Sequence, residues 1–149
     1  MIRLTHNVGE VRGAVAASIE RRVARVENAW RAVIVSGLKD IQTRSPVDTG
    51  LFRASTILSA VDPDDARFRS VQETTTTARL GEGQEQLSLF DDNERIWVAW
   101  FSNNLPYARA IEHGHSRQKA PQGVFGIERQ RMAEKFKKYV SRNNRKGKA

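Results

Sequence analysis

The sequence contains no cysteine. That excludes a disulfide framework and a thiolate metal site, and it suits a reducing compartment. No run of about 18 apolar residues occurs, so no membrane-spanning helix is expected. The first ten residues, Met1 to Glu10, lack the apolar stretch of a secretion signal. Apolar residues make up 39% of the 149. That is enough for one domain with a modest core, and it leaves little apolar surface to spare.

What the chain does have is positive charge, unevenly placed. The formal charge is +8. Residues 1–60 carry nine basic and five acidic side chains, residues 61–116 five and ten, and residues 117–149 eleven and two. The excess therefore sits in the last segment, whose Lys135, Lys137, Lys138, Arg142, Arg145 and Lys146 are candidate contacts for DNA phosphates or for an acidic protein face. The alternative is a solvated basic tail, unstructured over 141–149.

The strongest periodic signal comes first. Val8, Val11, Val15, Ile19, Val23, Val26, Trp30, Ile34, Leu38 and Ile41 recur at steps of three or four, the spacing of one helical face. Asn7 with Glu10 three residues on reads as an N-cap. Ser45-Pro46 ends the run, because a residue before proline avoids helical angles. A straight helix of this length would reach roughly 55 Å at about 1.5 Å per residue, longer than a compact domain of this size. Part of it is therefore expected to pack on another subunit, unless a kink near Ser36-Gly37 folds it back.

Pro46-Val47-Asp48-Thr49-Gly50 reads as a turn, and Leu51 to Ala54 as one helical turn with Thr49 as its cap. Ser55 to Val61 alternates like a strand. The run Thr74 to Thr77 favours a second strand, since β-branched residues suit a pleated surface. Residues 81–94 are polar and glycine-containing, which predicts a flexible hairpin loop. Arg95 to Ser102 is the clearest strand, with Ile96, Val98 and Trp100 on one face and Trp97, Ala99 and Phe101 on the other. Two apolar faces predict a strand that is central or covered by another subunit, with Trp100 needed for folding. Pro106 then opens a helical turn, Tyr107, Ala110 and Ile111 share a face, and Gly114 stops it. A last helix is expected from about Gly123 to Val140. The fold class is α+β: a long N-terminal amphipathic helix packed on a small, mainly antiparallel sheet, a short helix after the last strong strand, and a C-terminal helix. Residues 1–140 form a single domain.

Chemistry is poorly supported. Asp48-Thr49-Gly50 is the triplet of an aspartic protease, but that reaction needs two carboxylates sharing a proton, and no second copy exists. Glu112, His113 and His115 suggest metal ligands, yet they diverge around Gly114 and no further ligand has suitable spacing. No enzyme, metal site or cofactor is expected. Glu112 is read instead as a partner for Arg109 or for an arginine of a neighbouring subunit. Gln86-Leu87-Ser88-Leu89-Phe90 is similar to the short peptide by which bacterial replication proteins grip the sliding clamp, its apolar side chains filling a pocket. The alternative is a loop that folds these side chains onto its own domain or a partner subunit.

Two segments carry a wider resemblance. Ser45-Pro46-Val47-Asp48-Thr49-Gly50-Leu51-Phe52-Arg53-Ala54-Ser55 and Asn103-Asn104-Leu105-Pro106-Tyr107-Ala108-Arg109-Ala110-Ile111-Glu112-His113-Gly114 occur in this order after an amphipathic helix. Together with Ala120-Pro121-Gln122-Gly123 they resemble blocks of the tail-completion, or head–tail joining, proteins of long-tailed bacteriophages, the minor tail protein Z-like group. The resemblance spans roughly residues 8–140. It implies a structural virion protein at the neck, assembled in the host bacterial cytoplasm. Such a subunit would join copies of itself in a ring, here expected to be hexameric. It would touch neighbouring neck and tail proteins and packaged DNA, and would have no catalytic step and no membrane contact. On this reading Trp97, Trp100, Tyr107, Arg109, Glu112 and His113 are assembly contacts. The competing expectation is a basic nucleic-acid-binding accessory protein, recruited to a clamp through residues 86–90.

Overall fold

A computed structural model of the chain describes residues 7–60, 62–70, 75–88 and 98–146. Helix α1 runs without a break over Val8–Arg44, 37 residues. Asn7 Oδ1 accepts from the Glu10 amide at 3.5 Å, and the Ser45 amide closes the far end on the Ile41 carbonyl. The helix is not interrupted at Ser36-Gly37 and does not fold back there. Gly37 is buried where α1 meets the last helix, and a Cβ there would sit 2.1 Å from Met132 Sδ. The glycine is a point of close approach rather than a hinge.

Helix α2 is a single turn, Leu51–Ala54, with the Thr49 hydroxyl accepting from the Leu51 amide. Strand β1 is Ile57–Ser59. It pairs antiparallel with β2, Trp100–Ser102, in the register Ile57 with Ser102, Leu58 with Phe101 and Ser59 with Trp100. Leu58 and Phe101 share the inner face, against Leu38 of α1. Among the described residues the sheet has two strands. Among the described residues the strand expected from Arg95 pairs on one side, with β1, and is covered on its Phe101 face, so it is not central. Val98 and Trp100 stand 51% and 42% exposed. Trp100 is not a core residue, because it lies opposite Ser59 on the outer face.

Between the strands, Thr76–Ser88 forms helix α3 where a strand and then a loop are expected. The physical reason is local and tertiary at once. Thr75 Oγ1 accepts from the Ala78 amide at 3.1 Å, so the first described threonine caps a helix instead of pairing in a sheet. Leu80 and Leu87 then face the core beside Leu38, Leu58 and Ala60. Gly83 lets α3 lie close to β1: a Cβ there would meet Leu58 Cβ at 3.0 Å. Val71 to Thr74 and Leu89 to Trp97 lie outside the described residues.

Helix α4 is Ala108–Glu112 and α5 is Phe125–Lys146. Gly114 adopts φ 85°, the left-handed conformation that suits glycine at a helix end. Helix α5 continues past Val140 through the basic segment assigned above to an unstructured tail. Its lysines and arginines are good helix formers, and neither glycine nor proline intervenes before Gly147. A second apolar cluster joins Ile41, Phe52, Leu105, Ala120 and Val124, and Phe101 packs against both clusters. The fold is mixed α+β and mostly helical.

Candidate assembly surface

The two sequence blocks meet in space. Proline and glycine in Pro46-Val47-Asp48-Thr49-Gly50 reverse the chain after α1, and Gly50 takes φ 84°. This turn and α4 enclose a groove of about 500 Å³ lined by Pro46, Asp48, Leu51, Phe52, Tyr107 and Ile111, among others. Tyr107 and Ile111 enter it together, as a spacing of four on a helix requires. The Phe52 ring lies 6.4 Å from Tyr107 and 6.3 Å from Phe125, the latter edge-on. Partial burial, and then the charge of Asp48, hold the Tyr107 hydroxyl above its usual pKa. It stays a neutral donor at the mouth of the groove, 42% exposed.

Side-chain amides tie the blocks together. Asn103 Nδ2 donates to the Phe52 carbonyl at 2.8 Å and to Thr56 Oγ1 at 3.2 Å. Asn104 Nδ2 donates to the carbonyls of Asp64 and Ala66 at 2.8 and 3.0 Å. The acid of the second block is bound inside its own chain. Glu112 accepts from the amides of Val124, Phe125 and Gly126 at 2.8, 2.9 and 2.8 Å. It therefore caps α5 from a distance, satisfying amides that a helix start leaves open and placing negative charge at the positive end of the dipole. This corrects its reading as a partner for Arg109 or for a neighbouring arginine. A signal was present in the sequence: Gln122-Gly123-Val124 offers no Ser, Thr, Asp or Asn to cap the helix that follows.

The other candidates separate. Arg109 and His113 are exposed on α4 and at its C-cap. His115 Nδ1 lies 2.9 Å from the Ala110 carbonyl. Among the described residues no three acidic, histidine or cysteine side chains are grouped to hold a metal ion. Trp97 lies outside the described residues.

The basic set also divides. Lys137, Lys138 and Arg142 are exposed. Arg145 and Lys146 fall in the last turn of α5, their side chains outside the described set. Lys135 is engaged within the chain. Its Nζ donates to Asp40 and to Ser36 Oγ, the latter at 3.2 Å, and lies 3.5 Å from Glu128 Oε1. The hydrogen bond to Asp40 raises its pKa and keeps it charged. Glu128 is fully buried at this α1–α5 seam, with Arg44 at 3.7 Å and Arg131 at 3.9 Å. Burial pushes its carboxyl pKa up, Asp40 adds to this, and Lys135 and Arg44 oppose it.

Within the Gln86–Phe90 peptide, the described part is helical and its Leu87 is buried. Gln86 to Ser88 end α3, and Leu87 is 3% exposed in the core beside Leu38 and Leu58. Leu89 and Phe90 lie outside the described residues.

A row of exposed apolar side chains lies elsewhere among the described residues. Val8, Val11, Val15 and Ile19 on the first half of α1 are 54%, 61%, 53% and 53% exposed. Comparison with known protein families, curated proteins and solved structures finds no match for this chain.

Proposed function

We propose that this chain is a structural assembly protein: a subunit of a neck ring that completes the tail of a long-tailed phage and joins it to the head. The observation that carries the reading is the apolar stripe left open on the first half of α1. A row of four exposed aliphatic side chains on one face is a surface for another protein. The resembling blocks support it, since Pro46–Ser55, Asn103–Gly114 and the approach to α5 knit into one packed unit around Phe52, Asn103 and Glu112. Among the described residues no helix is long and apolar enough to cross a membrane.

Imaging of a lysate lacking this chain tests the reading. Separate DNA-filled heads and finished tails are the expected result, with the chain itself found in purified wild-type particles. Normally joined particles, or a strict monomer absent from virions, would overturn it. Exposed Lys137, Lys138 and Arg142 favour a second reading, contact with duplex DNA. Titration against salt would then show a steep slope. No affinity at low salt would end that reading.

A further inference from the structure

The free face of α1 is apolar and positive. Arg12 lies four residues after Val8 and three before Val15, and Arg22 lies three after Ile19 and four before Val26. These spacings put both arginines on the valine face, one along each edge. Glu10 and Glu20 lie two residues after Val8 and one after Ile19, and so point elsewhere.

A surface of the opposite character lies beside β1. A groove of about 520 Å³ has Ile57 and Leu58 in its wall and Asp62, Asp64, Asp65 and Glu82 among its lining. Glu82 is paired with Arg79. Asp62 and Asp65 are exposed.

The two surfaces match in kind but cannot meet within one chain. Helix α1 is unbroken over Val8–Arg44, and it packs beside this groove at Leu38, next to Leu58. Val15 stands 23 residues further back on the same rod, about 34 Å away at about 1.5 Å per residue. Whatever fills the groove with this stripe must come from another copy.

We propose that the free half of α1 in one chain docks on the acidic groove beside β1 of the next copy. The valines and Ile19 lie over the groove wall, and Arg12 and Arg22 face its aspartates. Stripe and groove are different surfaces, so the contact is head-to-tail and each docked copy offers a new groove. Such a contact closes into a ring when its rotation allows. The inference rests on the assembly reading above and names the partner surface.

The absence of cysteine makes the test direct. A chain carrying both Val15→Cys and Asp62→Cys is oxidised mildly and run without reductant. The two sites are too far apart to close internally. A ladder of dimers, trimers and larger species is the expected result, with neither single variant giving more than traces. Adding Arg12→Glu and Arg22→Glu should abolish the ladder. Efficient dimers from Val15→Cys alone would mean that stripes pair with each other, and would overturn the proposal. Light scattering separates the two levels. An oligomer without cross-links removes this interface and leaves the ring standing, whereas a monomer at every concentration removes both.

Discussion

The two halves of α1 carry the same spacing of apolar residues and end in different surroundings. Ile19 and Ile41 lie on one stripe, two 11-residue repeats apart, a period close enough to that of an α-helix to keep them aligned. Ile41 is fully buried among Phe52, Leu105, Ala120 and Val124, while Ile19 is 53% exposed. The second half meets α5 through Gly37 and Met132, α3 and β1 through Leu38, and α2 and the loop before α5 through Ile41. In the first half Val8, Val11, Val15 and Ile19 stay more than half exposed, and none of them belongs to either apolar cluster of the described residues. Periodicity therefore reports that a face is apolar. It does not report whether its own chain covers it.

The sharpest way to break this contrast is to make the same change at both ends. Ile41→Ala should lower unfolding free energy by about 2–5 kcal/mol, measured by urea denaturation, because it opens a cavity in a filled cluster. Next comes Glu112→Ala, which strips three amides of α5 of their acceptor and should cost about 1–3 kcal/mol. Hydrogen exchange at residues 124–126 should rise with it, and Glu112→Gln should restore part of the loss. This locates the effect in folding rather than in a contact between subunits.

The α1–α5 seam yields a pH prediction. The Glu128 pKa is raised on folding above its reference of 4.5. The folded state therefore holds that proton more tightly than the unfolded one. The stability this contributes is fully present below about pH 4.5 and is lost as pH rises through the folded value. Glu128→Gln should flatten that fall, so the variant gains on the wild type as pH increases from 4 toward 8. A parallel pair of stability curves would show that Lys135 and Arg44 cancel the effect of burial, and a wild type that gains on the variant with rising pH would show that they outweigh it. Trp100→Ala should cost about 1 kcal/mol or less, given its place on the outer face of β2. Smallest of all, Ile19→Ala should change unfolding by no more than about 0.5 kcal/mol while weakening self-association, read by light scattering. If Ile19→Ala proved as costly as Ile41→Ala, the first half of α1 would be part of the folding unit.

Some of the candidate surface was legible before any coordinates. Tyr107 and Ile111 share a face because a helix repeats at four, and Pro46 to Gly50 turn because proline and glycine restrict and free the backbone. The threonine run suggests a strand and leads into a helix, because a threonine stabilises a strand when paired and a helix when it caps one. Nothing local distinguishes the two until Leu80 and Leu87 find Leu38 and Leu58. Glu112 was read as a contact residue because its partners lie 12–14 positions away and are backbone amides, which carry no side-chain signature. Lys135 looked like its neighbours in the basic segment until Asp40 of α1 came within reach.

By itself the sequence determined the long first helix, its cap at Asn7, its end before Pro46, the turn that follows, the α+β class and the exclusion of disulfide chemistry. These depend on local sterics, periodicity and composition, which act between near neighbours. Only the tertiary structure decided which half of α1 is buried, that α3 is a helix, that Glu112 caps α5, that Lys135 pairs with Asp40, and that Leu87 is turned inward. Each of those depends on contacts between residues far apart in the chain, where burial and unsatisfied backbone groups outweigh local preference.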